Sequence, residues 1–221
     1  MLQEFTQTFL LLVTGLFPII NPPASAMIVL TMIPDATPAE RTELAWRITT
    51  NSFAILLGSL LIGAYVLSFF GISIPVLRVA GGVIIATAGW NLLQKPDEDE
   101  SEEAAQLKAR PHTGSLASKA FYPLTMPLTV GPGSISVAIA LGTGSPRGGP
   151  APGHFAGVAA ALVILCASIY VCVRFAGDLE RLLGNIGTKI TMRLFAFVIF
   201  CIGMQLLWNG LSELLRSIHP S

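Results

Sequence analysis

Two stretches of the chain combine polar side chains with helix-breaking residues, "FPIINPPASA" at 17–26 and "YPLTMPLTVGPGSIS" at 122–136. In the first, Pro18 precedes Asn21-Pro22 and Ser25 follows; in the second, Pro127 precedes Gly131-Pro132 and Ser134 follows. Proline has no amide hydrogen and its ring clashes with the carbonyl one turn earlier, so Pro22 and Pro132 should each interrupt a helix. Both are also suited to open a new half-helix, because the missing donor would be unpaired at that position anyway. Asn21 is then a capping residue and Gly131 a flexible one. Amides just beyond each break, near Ala24 and Ser25 or Gly133 and Ser134, are expected to be free at the positive end of a half-helix dipole, where they can bind a carboxylate. Freed carbonyls around Phe17 and Pro18, or Met126 and Leu128, suit an ammonium group or a cation. Gly131 and Gly133 let a ligand approach the backbone closely. The expected substrate-binding set is Asn21, Pro22, Ser25, Thr129, Gly131, Pro132, Gly133 and Ser134.

The elements that carry these residues belong in a bilayer. Of 221 residues 52% are hydrophobic and 12% charged, about half the charge of a soluble domain. The mean hydropathy is +0.69. Thirteen basic residues balance thirteen acidic ones, so no whole-molecule charge recommends nucleic acid as a partner. A crossing helix needs roughly 20 mostly apolar residues, and six stretches qualify, at 9–31, 48–70, 76–93, 121–141, 155–175 and 190–211. The turn "FGISIP" at 70–75 separates the second from the third. Acidic residues crowd positions 97–103, and a soluble cytoplasmic linker is expected over 95–119.

Basic residues set the orientation. Arg41, Arg47, Lys95, Lys108, Arg110, Lys119, Arg174, Arg181, Lys189 and Arg193 fall on one side, against Arg78, Arg147 and Arg216 on the other. The excess marks the cytoplasmic side, with both termini outside. The "ASA" at 24–26 resembles a signal-peptidase site, but the segment before it has no basic start and carries Glu4, which favours a retained span.

The paired breaks, together with "LRVAGG…GWNLL" at 77–93 paralleling "MRLFAF…GMQLL" at 192–207, predict a duplicated three-helix unit. Three is odd, so the copies must enter the membrane from opposite sides. The expected fold is all-α: a polytopic membrane protein of six helices in two inverted repeats, 1–94 and 120–221, with broken first and fourth helices meeting near the midplane. No Asp or Glu lies deep within any expected span, which suits a zwitterionic ligand.

Further polar residues are candidates for lining a cavity: Pro18, Asn51, Asn91, Pro127 and Gln205. Arg78 and Arg193 open the third and sixth spans, where snorkelling to headgroups competes with a gating role. His112, His154 and His219 are expected in loops or the tail, exposed to solvent. Cys166, Cys172 and Cys201 read as packing residues, since no CxxC or metal-ligand spacing accompanies them. Nothing resembles a nucleophile and base, a metal cluster or a phosphate loop, so no catalytic residue, metal or cofactor is expected and the chain does not read as an enzyme.

With these residues in hand, the chain resembles the MarC family, described as six-span neutral amino acid transporters within a lysine-exporter-like superfamily. The resemblance rests on "NPPASAMIVLT", "FGISIPVLRVAGGVIIATAGWNLL", "YPLTMPLTVGPGSIS" and "RLFAFVIFCIGMQLLWNGL". It implies a bacterial or archaeal cytoplasmic-membrane protein and a substrate such as glycine, alanine, serine or threonine. Coupling ion and transport direction stay open. An efflux channel or exporter for another small metabolite is the alternative, as is a scaffold that recruits a partner through the acidic loop. The expected partners are the bilayer and a small zwitterionic solute, not nucleic acid; a homo-oligomer is left open.

Overall fold

The computed structural model describes residues 1–33, 36–94, 115–142 and 152–218. The acidic run 97–103, most of the expected linker, His112 and His219 lie outside the described residues. The described chain is helical, in the order α1 (Leu2–Ile20), α2 (Pro22–Met32), α3 (Pro38–Phe69), α4 (Ile74–Gln94), α5 (Leu116–Lys119), a π-helical stretch (Ala120–Thr129), α6 (Pro132–Gly142), α7 (Pro152–Arg174) and α8 (Ala176–Ile218). No strand occurs among the described residues.

Among the described residues, five units are long and apolar enough to cross a membrane: α1 with α2 over Leu2–Leu30, then Pro38–Phe69, Ile74–Gln94, Pro152–Arg174 and Lys189–Ser217. The expected fourth span, 121–141, is divided between the π-helical stretch and α6, and neither piece reaches that length alone.

Local chemistry explains where these helices begin and end. α3 starts well before the apolar run at 48–70 because Thr37, Pro38 and Glu40 form a capping box. The Thr37 amide donates to Glu40 Oε2 at 2.8 Å and the Glu40 amide to Thr37 Oγ1 at 3.3 Å. The turn after α3 passes through Gly71 at φ 69°, which a residue with a Cβ adopts only at a cost. Within α8, Gly184 at φ 63° and ψ 173° kinks the helix, separating 176–183 from the membrane-crossing part.

The core is built from the inner faces of α1, α3 and α7: Leu12, Leu16 and Ile20, then Leu44, Ile48 and Leu56, then Leu162, Leu165 and Ile169 are all buried. α1 and α7 run in the same direction, since Gly153 lies against Met1 and Gly157 against Phe5. α3 runs against α7, placing Trp46 edge-on to Tyr170 with ring centroids 6.4 Å apart. The antiparallel pair α4 and α8 stands to one side. Its glycines let backbones touch. A Cβ on Gly82 would stand 2.5 Å from the Leu207 amide nitrogen, one on Gly89 2.5 Å from that of Phe200, and Gly203 faces Ala86 as closely. Arg78 bridges to Glu213 at the end of this pair.

Candidate functional site

The two broken segments lie side by side in opposite senses. α1 packs on α6 and α2 packs on the π-helical stretch, so the first half of each segment meets the second half of the other. Gly15 of α1 illustrates the closeness: a Cβ there would stand 3.0 Å from Leu141 Cδ1 of α6.

At the first break Asn21 takes the left-handed conformation, φ 46° and ψ 64°, which asparagine tolerates better than other residues bearing a Cβ. Its amide still bonds the Phe17 carbonyl at 2.9 Å, ending α1. Its side chain then caps α2, Oδ1 accepting from the Ala24 amide at 3.4 Å. Pro22 and Pro23 have no amide hydrogen, and the Ser25 amide donates to the Asn21 carbonyl at 3.0 Å. The amides expected to be free at Ala24 and Ser25 are therefore occupied. What this break frees is acceptors. The carbonyls of Pro18 and Ile19 lose the donors that Pro22 and Pro23 cannot supply, whereas Phe17, expected to be free, is bonded. The next carbonyl, Ile20, accepts the Ser25 hydroxyl at 3.0 Å.

The second break adds donors, although Pro132 also withholds a donor from the Leu128 carbonyl, as expected there. Tyr122 (φ −127°, ψ 123°) and Met126 (φ −114°, ψ 123°) are extended because each precedes a proline, Pro123 and Pro127, whose ring disfavours the helical region for its neighbour. Wide turns accommodate these interruptions: the Val130 amide reaches back five residues to Thr125 at 2.9 Å. The Thr125 and Thr129 hydroxyls likewise donate to the Ala120 and Leu124 carbonyls, each at 2.7 Å. α6 then starts at Pro132, and its Ile135 amide returns to the Gly131 carbonyl at 3.1 Å. Gly131 has no side chain with which to cap the helix. The Gly133 and Ser134 amides are thus first-turn donors with no acceptor inside α6.

Most of the polar groups at the breaks are buried. Asn21 and Ser25 are each 4% exposed, Ser134 2%, Thr129 1% and Thr125 0%. Pro22 and Gly133 are buried, while Gly131 is half-buried and Pro132 exposed. Gly133 also packs tightly on α4, since a Cβ there would lie 2.7 Å from Ile85 Cγ1. A small crevice lined by Val29, Ile33, Arg41, Leu44 and Val173 lies at the far end of α2, apart from the breaks.

α3 adds residues to this region. Asn51 donates toward Thr125 Oγ1 at 3.5 Å, the limit of a hydrogen bond. On the buried face of the same helix the Thr49 and Ser52 hydroxyls have no hydrogen-bond partner among the described residues. Sequence reasoning singled out Asn51 and missed Thr49, Ser52 and Thr125. The signal was present as the polar run "TTNS" at 49–52 within an apolar helix.

The remaining candidates fall elsewhere. Pro18 is half-buried in α1, and Pro127 follows the extended Met126. Asn91 is exposed near the end of α4, and Gln205 is exposed on α8, where its Nε2 donates to Asn209 Oδ1 at 2.9 Å. Arg78 is held by Glu213, and Arg193 is exposed on α8. His154, expected in a solvent-exposed loop, is in the first turn of α7 and half-buried, with Nδ1 3.0 Å from Thr8 Oγ1.

The profile of MarC family integral membrane proteins matches residues 6–215. The chain belongs to the MarC family. Relatives include the inner membrane protein MarC of Salmonella paratyphi A and that of Citrobacter koseri, each 33% identical over 207 residues, covering 92% of this chain and 94% of theirs. The Escherichia coli O1:K1 protein of the same name is 31% identical over the same coverage. No solved structure matches the chain. With its long apolar helices, the chain is an integral membrane protein of this family, in contact with the bilayer.

Proposed function

We propose that the chain is a secondary transporter of small neutral amino acids, of the glycine, alanine, serine or threonine type, in the bacterial cytoplasmic membrane. The observation that carries this reading is the complementary chemistry of the two breaks. The first offers the carbonyls of Pro18 and Ile19, acceptors for an ammonium group. The second offers the amides of Gly133 and Ser134 at a helix N-terminus, donors for a carboxylate. A small zwitterion needs both and needs no charged side chain. Ser25, Thr129 and Ser134 add hydroxyl oxygens around it, and the unpartnered Thr49 and Ser52 hydroxyls add polar groups on α3. The inner-membrane names of the relatives support the location.

Alternating access belongs to the same proposal, and the packing of the halves supports it. The close approach of Gly82 to Gly203 has a counterpart in that of Gly89 to Ala196, and Gly203 meeting Ala86 corresponds to Gly89 meeting Phe200. In each case the residues exchanged are the same distance apart in the chain. Together with the opposed senses of the broken segments, this supports six spans in two inverted repeats, 1–94 and 120–221, with the fourth span assembled from the π-helical stretch and α6. The buried site corresponds to an occluded conformer, and rocking one repeat against the other opens it to either side.

Counterflow in proteoliposomes tests the proposal. Vesicles preloaded with unlabelled alanine should accumulate labelled alanine transiently and saturably. Flux that rises linearly with concentration would instead indicate a channel, and absence of flux in folded protein a scaffold.

A further inference from the structure

The outward face of α8 carries polar groups where lipid offers them nothing. Gln205 and Asn209 are exposed. Gln205 lies two turns before Glu213, the residue that pairs with Arg78, and so sits roughly 12 Å along the helix from that charged level. The one hydrogen bond between the two amides, from Gln205 Nε2 to Asn209 Oδ1, leaves Gln205 Oε1 and the Asn209 amino hydrogens still to be satisfied. Hydrocarbon offers such groups no hydrogen-bond partner. Beside the amides runs an exposed seam at strict seven-residue spacing: Leu194, Cys201, Trp208 and Leu215. Such a repeat suits a left-handed helix pair.

We infer that this face of α8 is a homodimer interface, with Gln205 and Asn209 hydrogen-bonding to the same residues of a second copy. An amide is both donor and acceptor, so it is its own complement across a two-fold axis. Copies inserted in the same orientation place the two α8 helices parallel, which brings each seam residue opposite its own counterpart. Lipid meets the apolar seam equally well but leaves the amides bare. The dimer satisfies both.

Cys201 is the natural reporter, because it is exposed on the seam whereas Cys166 is buried. In a Cys166→Ala/Cys172→Ala background, the full chain in proteoliposomes should be joined into dimers by a short bis-maleimide. Replacing the amides with leucine (Gln205→Leu/Asn209→Leu) should weaken dimerisation about 10-fold, leaving the thermal midpoint of the monomer unchanged. Gln205→Met, which keeps the side-chain length, should weaken it in the same direction. Absence of a Cys201-linked dimer, or a yield undiminished by removing the amides, would overturn the interface. Neither result touches the transport proposal.

Discussion

The two breaks share a proline-led pattern but differ at the capping residue, Asn21 against Gly131, and two positions on, where Pro23 has no amide hydrogen and Gly133 has one. Asn21 turns its own side chain onto the Ala24 amide of α2 and holds a left-handed backbone to do so, leaving that break with surplus acceptors. Gly131 does neither. Its φ is not positive, and without a side chain it leaves the first donors of α6 uncapped. On the proposed reading, the two breaks are different half-sites, one for each end of a zwitterion.

The sharpest way to break this contrast is to give the second break the first one's chemistry. Gly131→Asn should supply a cap for the Ser134 amide, worth about 1 kcal/mol to α6. Alanine counterflow should fall more than about 10-fold while the thermal midpoint holds or rises, a combination that a merely damaged protein would not show. Removing the first cap tests the other side. Asn21→Ala leaves the buried Ala24 amide unpaired and puts alanine at a positive φ, so a stability loss of about 2 kcal/mol is expected in thermal or chemical unfolding. Asn21→Gly should recover a part of it, because glycine accepts that backbone angle.

Smaller effects sharpen the division of labour. Ser134→Ala keeps the backbone donor and removes only a hydroxyl, so a rise in KM for alanine of about 3-fold is expected, with little change in maximal rate. Thr125→Val should act mainly through stability, by about 1 kcal/mol, since its hydroxyl supports the Ala120 carbonyl rather than an open half-site. Gly133 makes a poor probe: a side chain there would strike Ile85 whether or not a ligand binds.

Much of this was readable from residue types alone. The prolines located both interruptions, "FGISIP" located the turn at Gly71, and the apolar runs located five crossing units. The capping box at Thr37 was also present in the sequence, but the search for apolar residues passed over it and started the helix too late. What periodicity could not supply was the hydrogen-bond accounting at the breaks. Whether Asn21 would turn inward to a ligand or back onto its own helix depends on a backbone angle that the sequence does not state. The same holds for Gln205: its place in an apolar run suggested a cavity, whereas the packing of α8 on α4 turns it outward. Thr49 and Ser52 went unremarked because a hydroxyl in a membrane helix ordinarily bonds its own backbone, and only the folded arrangement reveals that theirs do not.

The most direct test of the division between the half-sites is a ligand-stabilisation series on purified wild-type and Gly131→Asn protein, comparing alanine with alaninamide and propionate. Alanine should raise the thermal midpoint of the wild type, each analogue lacking one charged end should do so far less, and Gly131→Asn should respond to none. An equal response to all three ligands, or an undiminished response to alanine in Gly131→Asn, would contradict recognition by the uncapped amides of α6.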